Sequence, residues 1–474
     1  MRVAIIGGGL SGSLAAMRLL QCFGNRVHII LIERRSRQLN RGVAYSAHLS
    51  QQLLNVPAGR MGLFPEEVDG FLKWAKAGPL PDAQAGDFLP RRIFGDFVHE
   101  QFHDLLEKHP RAVEIVRSEA VAMDHHPANG CTITLRDERT VRADIVLLAM
   151  GNAPPAHLPG MPEELWDHPR YVPWPWKHGA LSGIGAEDHV VFVGSGLTMV
   201  DVLLSLRDQG HTGPVTVVSR RGELPRPHAG PVPYQIEQDP PQLAGLSAIQ
   251  LLKWVRKEVE LAAARGLPWQ SVIDAVKPRV QDWWQGMPPG ERSRFLRHAR
   301  PYWEVHRHRM PAPVHERLYG MEAEGALRRV AGRVRNIHAT PEGLVMDVLH
   351  RGDHRKEELF AHRIINCTGP QSDTRRMEQP LLKNLLHMGL GTWDPLHMGL
   401  HCASNGALID ASGRTSDVLF AIGPLCKATL WESTAVPEIR EHVAALVEQL
   451  VQQRGDRDRS WIGRLFDRLS MQDA

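Results

Sequence analysis

The 474-residue chain has no C-x-x-C pair, and its five cysteines (Cys22, Cys131, Cys367, Cys402 and Cys426) stand far apart. That spacing excludes a local redox dithiol and a zinc ribbon. It fits a reduced, cytoplasmic protein. The chain also lacks an excess of either charge, with 56 Lys plus Arg against 53 Asp plus Glu. No nucleic-acid partner is expected from such a balance. No apolar run is long enough to span a bilayer. The opening MRVAIIGGGLSGSLAA imitates a signal peptide. Its apolar run, Val3 to Ile6, stops at glycines that would break the signal helix, so a signal is not expected.

What is present is a repeated nucleotide-binding pattern. At this length two or three domains are expected. Residues 2–6 read as a buried strand, Gly7–Gly12 as a turn, Ser13–Leu20 as a helix and His28–Glu33 as a second strand. The turn has the spacing G-x-G-x-x-G, with Gly7, Gly9 and Gly12. The first glycine permits the tight turn, the second lets a pyrophosphate approach the backbone, and the third lets helix and strand pack closely. Glu33 ends the second strand 21 residues beyond Gly12, where a carboxylate can accept from a ribose 2′-OH. The set points to a dinucleotide site.

The pattern restarts at VVFVGSGLTMVD, with Gly194 and Gly196 but Met199 in place of the third glycine. A bulky residue there is expected to hold helix and strand farther apart. The next strand ends SRRG, so Arg220 and Arg221 stand where the first unit has its acid. Guanidinium groups suit a 2′-phosphate, which favours NADPH over NADH. Each unit then runs through alternating strands to a closing buried strand, LLAMGNAPP with Gly151 and INCTGP with Gly369.

These motifs, with the closing FAIGP, resemble a two-dinucleotide-binding flavoprotein. More narrowly, GVAYS (42–46), LLNVPAGRMG (53–62), FLRHARPYWEVHRHR (295–309) and LWESTAVPEIR (430–440) resemble a bacterial family of FAD/NAD(P)-binding proteins, and the match runs along almost the whole chain. The resemblance implies FAD in the first site and NAD(P)H in the second. Some relatives are similar to N-hydroxylating flavin monooxygenases that act on amino acids. It further implies that Val121 lies beside the adenine, that Asn55 to Met61 line the flavin, and that Arg92 reaches the pyrophosphate. Gly423 and the turn Ala435–Val436 are then expected at the flavin's ribityl and pyrimidine end.

The expected architecture is α/β, with two Rossmann-like domains and a helical insert. Residues 1–158 and 371–474 are assigned to the FAD-binding domain, 159–370 to the NAD(P)H-binding domain, and about 235–325 to the insert. Within the insert, Arg297, Arg300, His306 and His308 are candidates for substrate contact, and Arg297, Arg300, Arg307 and Arg309 for gathering a substrate carboxylate. The two histidines share a face if the segment is a strand. An ion-paired helical surface is the alternative, and no metal site is expected. The C-terminal SWIGRLFDRL (460–469) has an apolar helical face with arginines. It either packs on the body or touches a membrane surface.

NADPH on one domain would reduce FAD on the other. With no cysteine pair and no iron–sulfur ligand set, O2 is the favoured acceptor, giving a monooxygenase that acts on a small molecule, such as an amine or amino acid. The alternatives are an NAD(P)H-dependent reductase with an organic acceptor and a slow nucleotide-sensing protein.

Overall fold

The computed structural model describes residues 1–46, 52–230, 232–237, 240, 245, 247–371 and 373–470, with side chains through residue 453. Two large sheets organise it. The first runs in the order Ala407–Ile409, Thr415–Ala421, Ile145–Leu148, Arg2–Ile6, His28–Ile32, Val113–Val116. All its pairs are parallel except the first. The central strand is a short apolar run because it is covered on both faces; Val3, Ala4 and Ile5 are fully buried. The helix Leu10–Phe23 supplies the crossover that a parallel pair requires. It packs through Leu14 and Met17 in a core shared with Val443, Val447 and Leu450 of the last helix. That helix runs Val436–Ser470. The side chains of 460–469, on which the membrane-surface alternative rests, lie outside the described residues.

The second sheet runs Lys356–Ala361, Leu344–His350, Leu327–Ala339, Val215–Ser219, Val190–Val193, Arg363–Asn366, Tyr171–Val172. The 13-residue strand Leu327–Ala339 joins two kinds of pairing. Its first half is parallel to Val215–Ser219, and its second half is antiparallel to Leu344–His350. In the first unit the corresponding meander is detached as a separate three-stranded sheet, Ala120–His126, Gly130–Leu135 and Thr140–Ala143. The repeat seen in the sequence is thus real in strand order and differs in how its hairpins attach.

The insert is helical, from Ala248–Ala264 through Ala312–Ala323. Phe295–Ala299 forms a π-helical turn leading into Arg300–Arg307. The segment is thus helical as far as Arg307, with His308 just past its end, so the shared face that a strand would give His306 and His308 does not arise. The insert docks on the loop before the last helix. Trp284 stacks on Trp431 at 4.6 Å and donates its Nε1–H to the Ala428 carbonyl at 2.7 Å. Trp303 donates to Glu432 Oε1 at 2.7 Å. Among the described residues no helix is long and apolar enough to cross a membrane.

Candidate functional site: the cleft at the first glycine loop

The two glycine loops have a similar backbone at their first glycine. Gly7 has φ +107°, donates to the Ile32 carbonyl at 2.9 Å, and would place a Cβ 2.3 Å from the Ala149 oxygen. Gly194 has φ +103°, donates to the Val218 carbonyl at 2.8 Å, and would place a Cβ 2.3 Å from the Cys367 oxygen. Both conformations and both close approaches require glycine. The third position separates them. A Cβ on Gly12 would lie 1.9 Å from the Gly7 oxygen. Met199 at the matching position is fully buried in the second core. Its helix opens with a tight turn, in which the Gly196 carbonyl accepts from both Met199 and Val200; at the first loop Gly9 accepts from Ser13. The tighter start accommodates a side chain at the third position.

Glu33 closes the first loop. Its Oε2 accepts from the Gly8 N–H at 2.9 Å and its Oε1 from the Arg35 N–H at 2.8 Å. The carboxylate is oriented by backbone, and its remaining lone pairs are available at the cavity it lines. That cavity has a volume of about 410 Å³ and reaches across the molecule. One wall is Gly7, Gly9 and Glu33, and another is the Ala149–Pro155 turn with Gly151. A third wall comes from the second unit, through Leu197, Thr198, Asp201 and Gly369. Pro424, Thr434 and Ile439 close it from the return segment.

At the junction, Arg91 pairs with Asp201 at 3.3 Å. Asp201 is buried, and desolvation pushes its carboxyl up to about 6 despite the Arg91 charge. The Arg91 Nε is buried without a partner, so an anion reaching this wall would satisfy it. The glycine cradle, the oriented carboxylate and this spare guanidinium nitrogen fit a dinucleotide: ribose at Glu33, phosphate at the loop and the start of the following helix.

Comparison with known proteins agrees with this geometry. Residues 4–153 match the family model described as FAD-NAD(P)-binding. This segment is an FAD/NAD(P)-binding domain. No curated protein matches the sequence. Among solved structures, the fold is similar to that of an ornithine N-hydroxylase from Kutzneria sp. 744, holding reduced FAD, NADP+ and L-ornithine. The TM-score is 0.67 and the identity 14%, over 95% of this chain and 99% of that one. It is similar to L-lysine 6-monooxygenase from Pseudomonas syringae, with TM-score 0.65 and 14% identity over 95% and 99% of the two chains. Thioredoxin reductase from Lactococcus lactis also shares it, with TM-score 0.52 and 12% identity over 95% and 98%. The fold is therefore the α/β architecture of flavoproteins with two dinucleotide-binding domains.

Several expected residues stand off the cavity wall. Gly7, Gly9, Glu33, Gly151 and Gly369 line it, while Gly12 lies beneath the turn. Arg92 is exposed and its neighbour Arg91 lines the cavity, a one-residue shift that helix phase decides. Likewise Ala120, not Val121, is on the wall. Met61 is buried in the first core, and the Asn55 carbonyl meets His228 Nε2 at 3.2 Å. Gly423 has φ +76° and sits against Ser11 of the loop, one residue before the wall residue Pro424. Ala435 accepts from Ile439 at 3.0 Å and Val436 opens the last helix, beside the wall residues Thr434 and Ile439. Gly194 and Gly196 are not on this wall; the first turn that follows them is. Arg220 is exposed at the end of its strand, and Arg221 lies over the Tyr302 ring at 4.4 Å.

The insert candidates are not in this cavity. Arg300 pairs with Glu304 at 2.7 Å, and Arg297 is exposed. His306 packs against Trp269 at 4.8 Å. Arg307 pairs with Glu438 at 2.7 Å and Glu432 at 3.4 Å, and His308 lies 3.7 Å from Glu432. The ion-paired alternative describes Arg300 and Arg307. Arg91 and Asp201 were not singled out in the sequence; the signal available was an arginine and an aspartate in first turns of helices beside the two loops. Among the described residues no group of three or more His, Cys, Asp and Glu side chains could hold a metal ion.

Proposed function

We propose that the protein is an FAD-dependent monooxygenase that uses NADPH and O2 to oxygenate a small molecule at an amine nitrogen. One observation carries the reading: a single cavity is walled by the first glycine loop and by the first turn after the second one. Two dinucleotides held at these loops would meet in it. FAD, when bound and reduced by NADPH, supplies the oxygen-activating chemistry. The chain's own residues do the rest. The Gly7–Gly12 turn and Glu33 bind the FAD phosphates and ribose, and Arg91 adds positive charge at the wall. The Gly194–Gly196 turn would hold the NADPH pyrophosphate, with Arg220 and Arg221 toward a 2′-phosphate. The insert seats Trp284 and Trp303 on the segment before the last helix.

The cysteines support O2 rather than a disulfide as acceptor. None of the five lines the cavity. Cys426 is fully buried, and its contact with Cys402 together with burial holds its thiol well above the ordinary range. The fold shared with N-hydroxylating enzymes gives amine nitrogen priority among substrates. The test is to reduce the flavin-loaded protein with NADPH without oxygen and then mix it with oxygenated buffer and a panel of amines and amino acids. The reading expects a transient absorbance distinct from both oxidised and reduced flavin, and a hydroxylamine product in step with NADPH consumed. Direct return to oxidised flavin, no hydroxylated product, and NADPH consumption tied to an added organic acceptor would replace it with a reductase.

A further inference from the structure

The turn that carries the paired arginines is tied to the second glycine loop and to the insert at once. Ser195, between Gly194 and Gly196, donates its hydroxyl to the Glu223 carbonyl at 2.5 Å, so the end of the strand Val215–Ser219 lies against the loop. Ser219 Oγ accepts from the Gly222 N–H at 3.0 Å, and Gly222 has φ +70°. Arg329 donates to the Gly222 carbonyl at 3.1 Å and is itself paired with Glu322 at 2.6 Å. Beyond the turn, the Arg226 N–H bonds the Val305 carbonyl of the insert at 2.9 Å. The backbone on both sides of Arg220 and Arg221 is therefore held by partners from three parts of the chain.

The two side chains differ in how they are held. Arg220 is exposed. Arg221 is stacked: its Cζ lies 4.4 Å from the centre of the Tyr302 ring, and its Nη1 donates to the Tyr302 hydroxyl at 2.5 Å. Nη2 reaches the His298 carbonyl only at 3.4 Å, a long contact. Neither arginine pairs with a carboxylate among the described residues. Tyr302 stands in the first turn of the helix Arg300–Arg307 and is 45% exposed. That helix is anchored on either side of it, since Trp303 donates to Glu432 and Val305 holds Arg226. The covalent geometry of guanidinium gives the consequence. Nη1 lies on the Cδ side, whereas Nε–H runs parallel to one N–H of Nη2. Tyr302 takes Nη1 and one flat face, which leaves the Nε/Nη2 edge, a fork that matches two oxygens of a phosphate. A guanidinium already fixed in its plane loses less rotamer freedom when an anion arrives.

We infer that Tyr302 of the insert is a specificity-determining residue for the nucleotide of the second site, because it positions Arg221 with its Nε/Nη2 edge open to the 2′-phosphate of NADPH. The inference rests on the proposed use of NADPH and adds to it a residue 81 positions from Arg221 in the chain. Tyr302 acts through Arg221 and touches no phosphate itself. Arg220 supplies a second charge that nothing orders. NADH carries a hydroxyl in place of the phosphate and gains nothing from the arrangement, so the insert takes part in choosing the cofactor.

The test measures binding without turnover. NADP+, NAD+ and 2′,5′-ADP are titrated into the flavin-loaded protein by calorimetry. The wild type is expected to bind NADP+ at least about tenfold more tightly than NAD+. Tyr302→Ala should weaken NADP+ and 2′,5′-ADP by roughly five- to thirtyfold and NAD+ by less than about twofold. Tyr302→Phe keeps the stack and gives up only the hydroxyl, so its NADP+ affinity should fall between the two. In an Arg221→Ala background, adding Tyr302→Ala should cost nothing further. An unchanged or tighter NADP+ affinity in a Tyr302→Ala protein that keeps its flavin overturns the inference. Equal weakening of NADP+ and NAD+ overturns it too, by making Tyr302 a support of the fold. Should Tyr302→Ala lose its flavin, Tyr302→Phe decides, by whether the preference for NADP+ falls. A preference lost in Arg221→Ala but intact in both Tyr302 variants defeats the inference and leaves the NADPH reading standing. A wild type that binds NADP+ no better than NAD+ removes that reading, and the inference with it.

Discussion

The two glycine loops share the geometry of their first glycine and differ in what surrounds them. Gly7 and Gly194 share φ values of +107° and +103° and the same 2.3 Å clearance to a carbonyl from the closing strand. Yet the first loop meets an acid held by two N–H donors, and the second leads to paired arginines. The first has no room for a Cβ at its third position, whereas the second buries a methionine there. The backbone suits both loops to a phosphate. In the proposed reading the side chains at the end of the next strand assign the cofactor, because a carboxylate accepts from a ribose hydroxyl and repels a phosphate that guanidinium attracts. The third glycine is not needed where the helix begins with a tighter turn.

This comparison can be broken in several ways. Gly12→Ala should be the most damaging single change: its methyl meets the Gly7 oxygen at 1.9 Å. Purified protein should lack bound flavin and unfold at much lower urea, whereas normal flavin content would show that the turn can open. Next come Gly7→Ala and Gly194→Ala. Strain at positive φ plus the clash should cost each about 2–5 kcal/mol, read from urea unfolding. Their functional effects should separate, with flavin content falling for Gly7→Ala and KM for NADPH rising for Gly194→Ala. Loss of the same cofactor in both would collapse the distinction between the loops.

Smaller effects test the side chains. Arg220→Glu should lower the preference for NADPH over NADH by roughly ten- to a hundredfold in kcat/KM; an unchanged ratio would remove the 2′-phosphate assignment. Glu33→Gln keeps the shape but turns an NH2 toward one of the two N–H donors. Flavin affinity, measured by dialysis and fluorescence, should weaken about tenfold. A separate test is in pH. Burial depresses the imidazoles of His442, in the first region, and His228, in the second, from 6.5 to about 4. Their contribution to stability is complete above pH 6.5 and is lost as pH falls toward about 4. Urea unfolding across that window should show the decline, and His442→Gln should flatten part of it.

Much of the fold was legible because each unit announces itself twice, by apolar strand runs and by glycines at fixed spacing. Gly7, Gly9, Glu33, Gly151 and Gly369, expected to hold a cofactor, all line the cavity, since a turn leaves little freedom in where its residues point. Arg92 and Val121 were each one residue from the wall, since helix phase and strand register are set by packing that sequence spacing does not reveal. Asp201 was invisible for another reason: its role depends on Arg91, over a hundred positions away. The insert was read as helical, but the fate of its arginines was not. Whether Arg307 finds Glu438 or Arg309 finds Asp274 depends on tertiary neighbours alone.

The central claim is that one cleft brings together FAD on the first loop and NADPH on the second. The most direct measurement is anaerobic rapid mixing of flavin-loaded protein with NADPH, following the loss of oxidised-flavin absorbance against concentration. The account predicts complete reduction at a rate that saturates with NADPH, with NADH requiring roughly tenfold or more higher concentration. A flavin that binds but is not reduced by either nucleotide would contradict it.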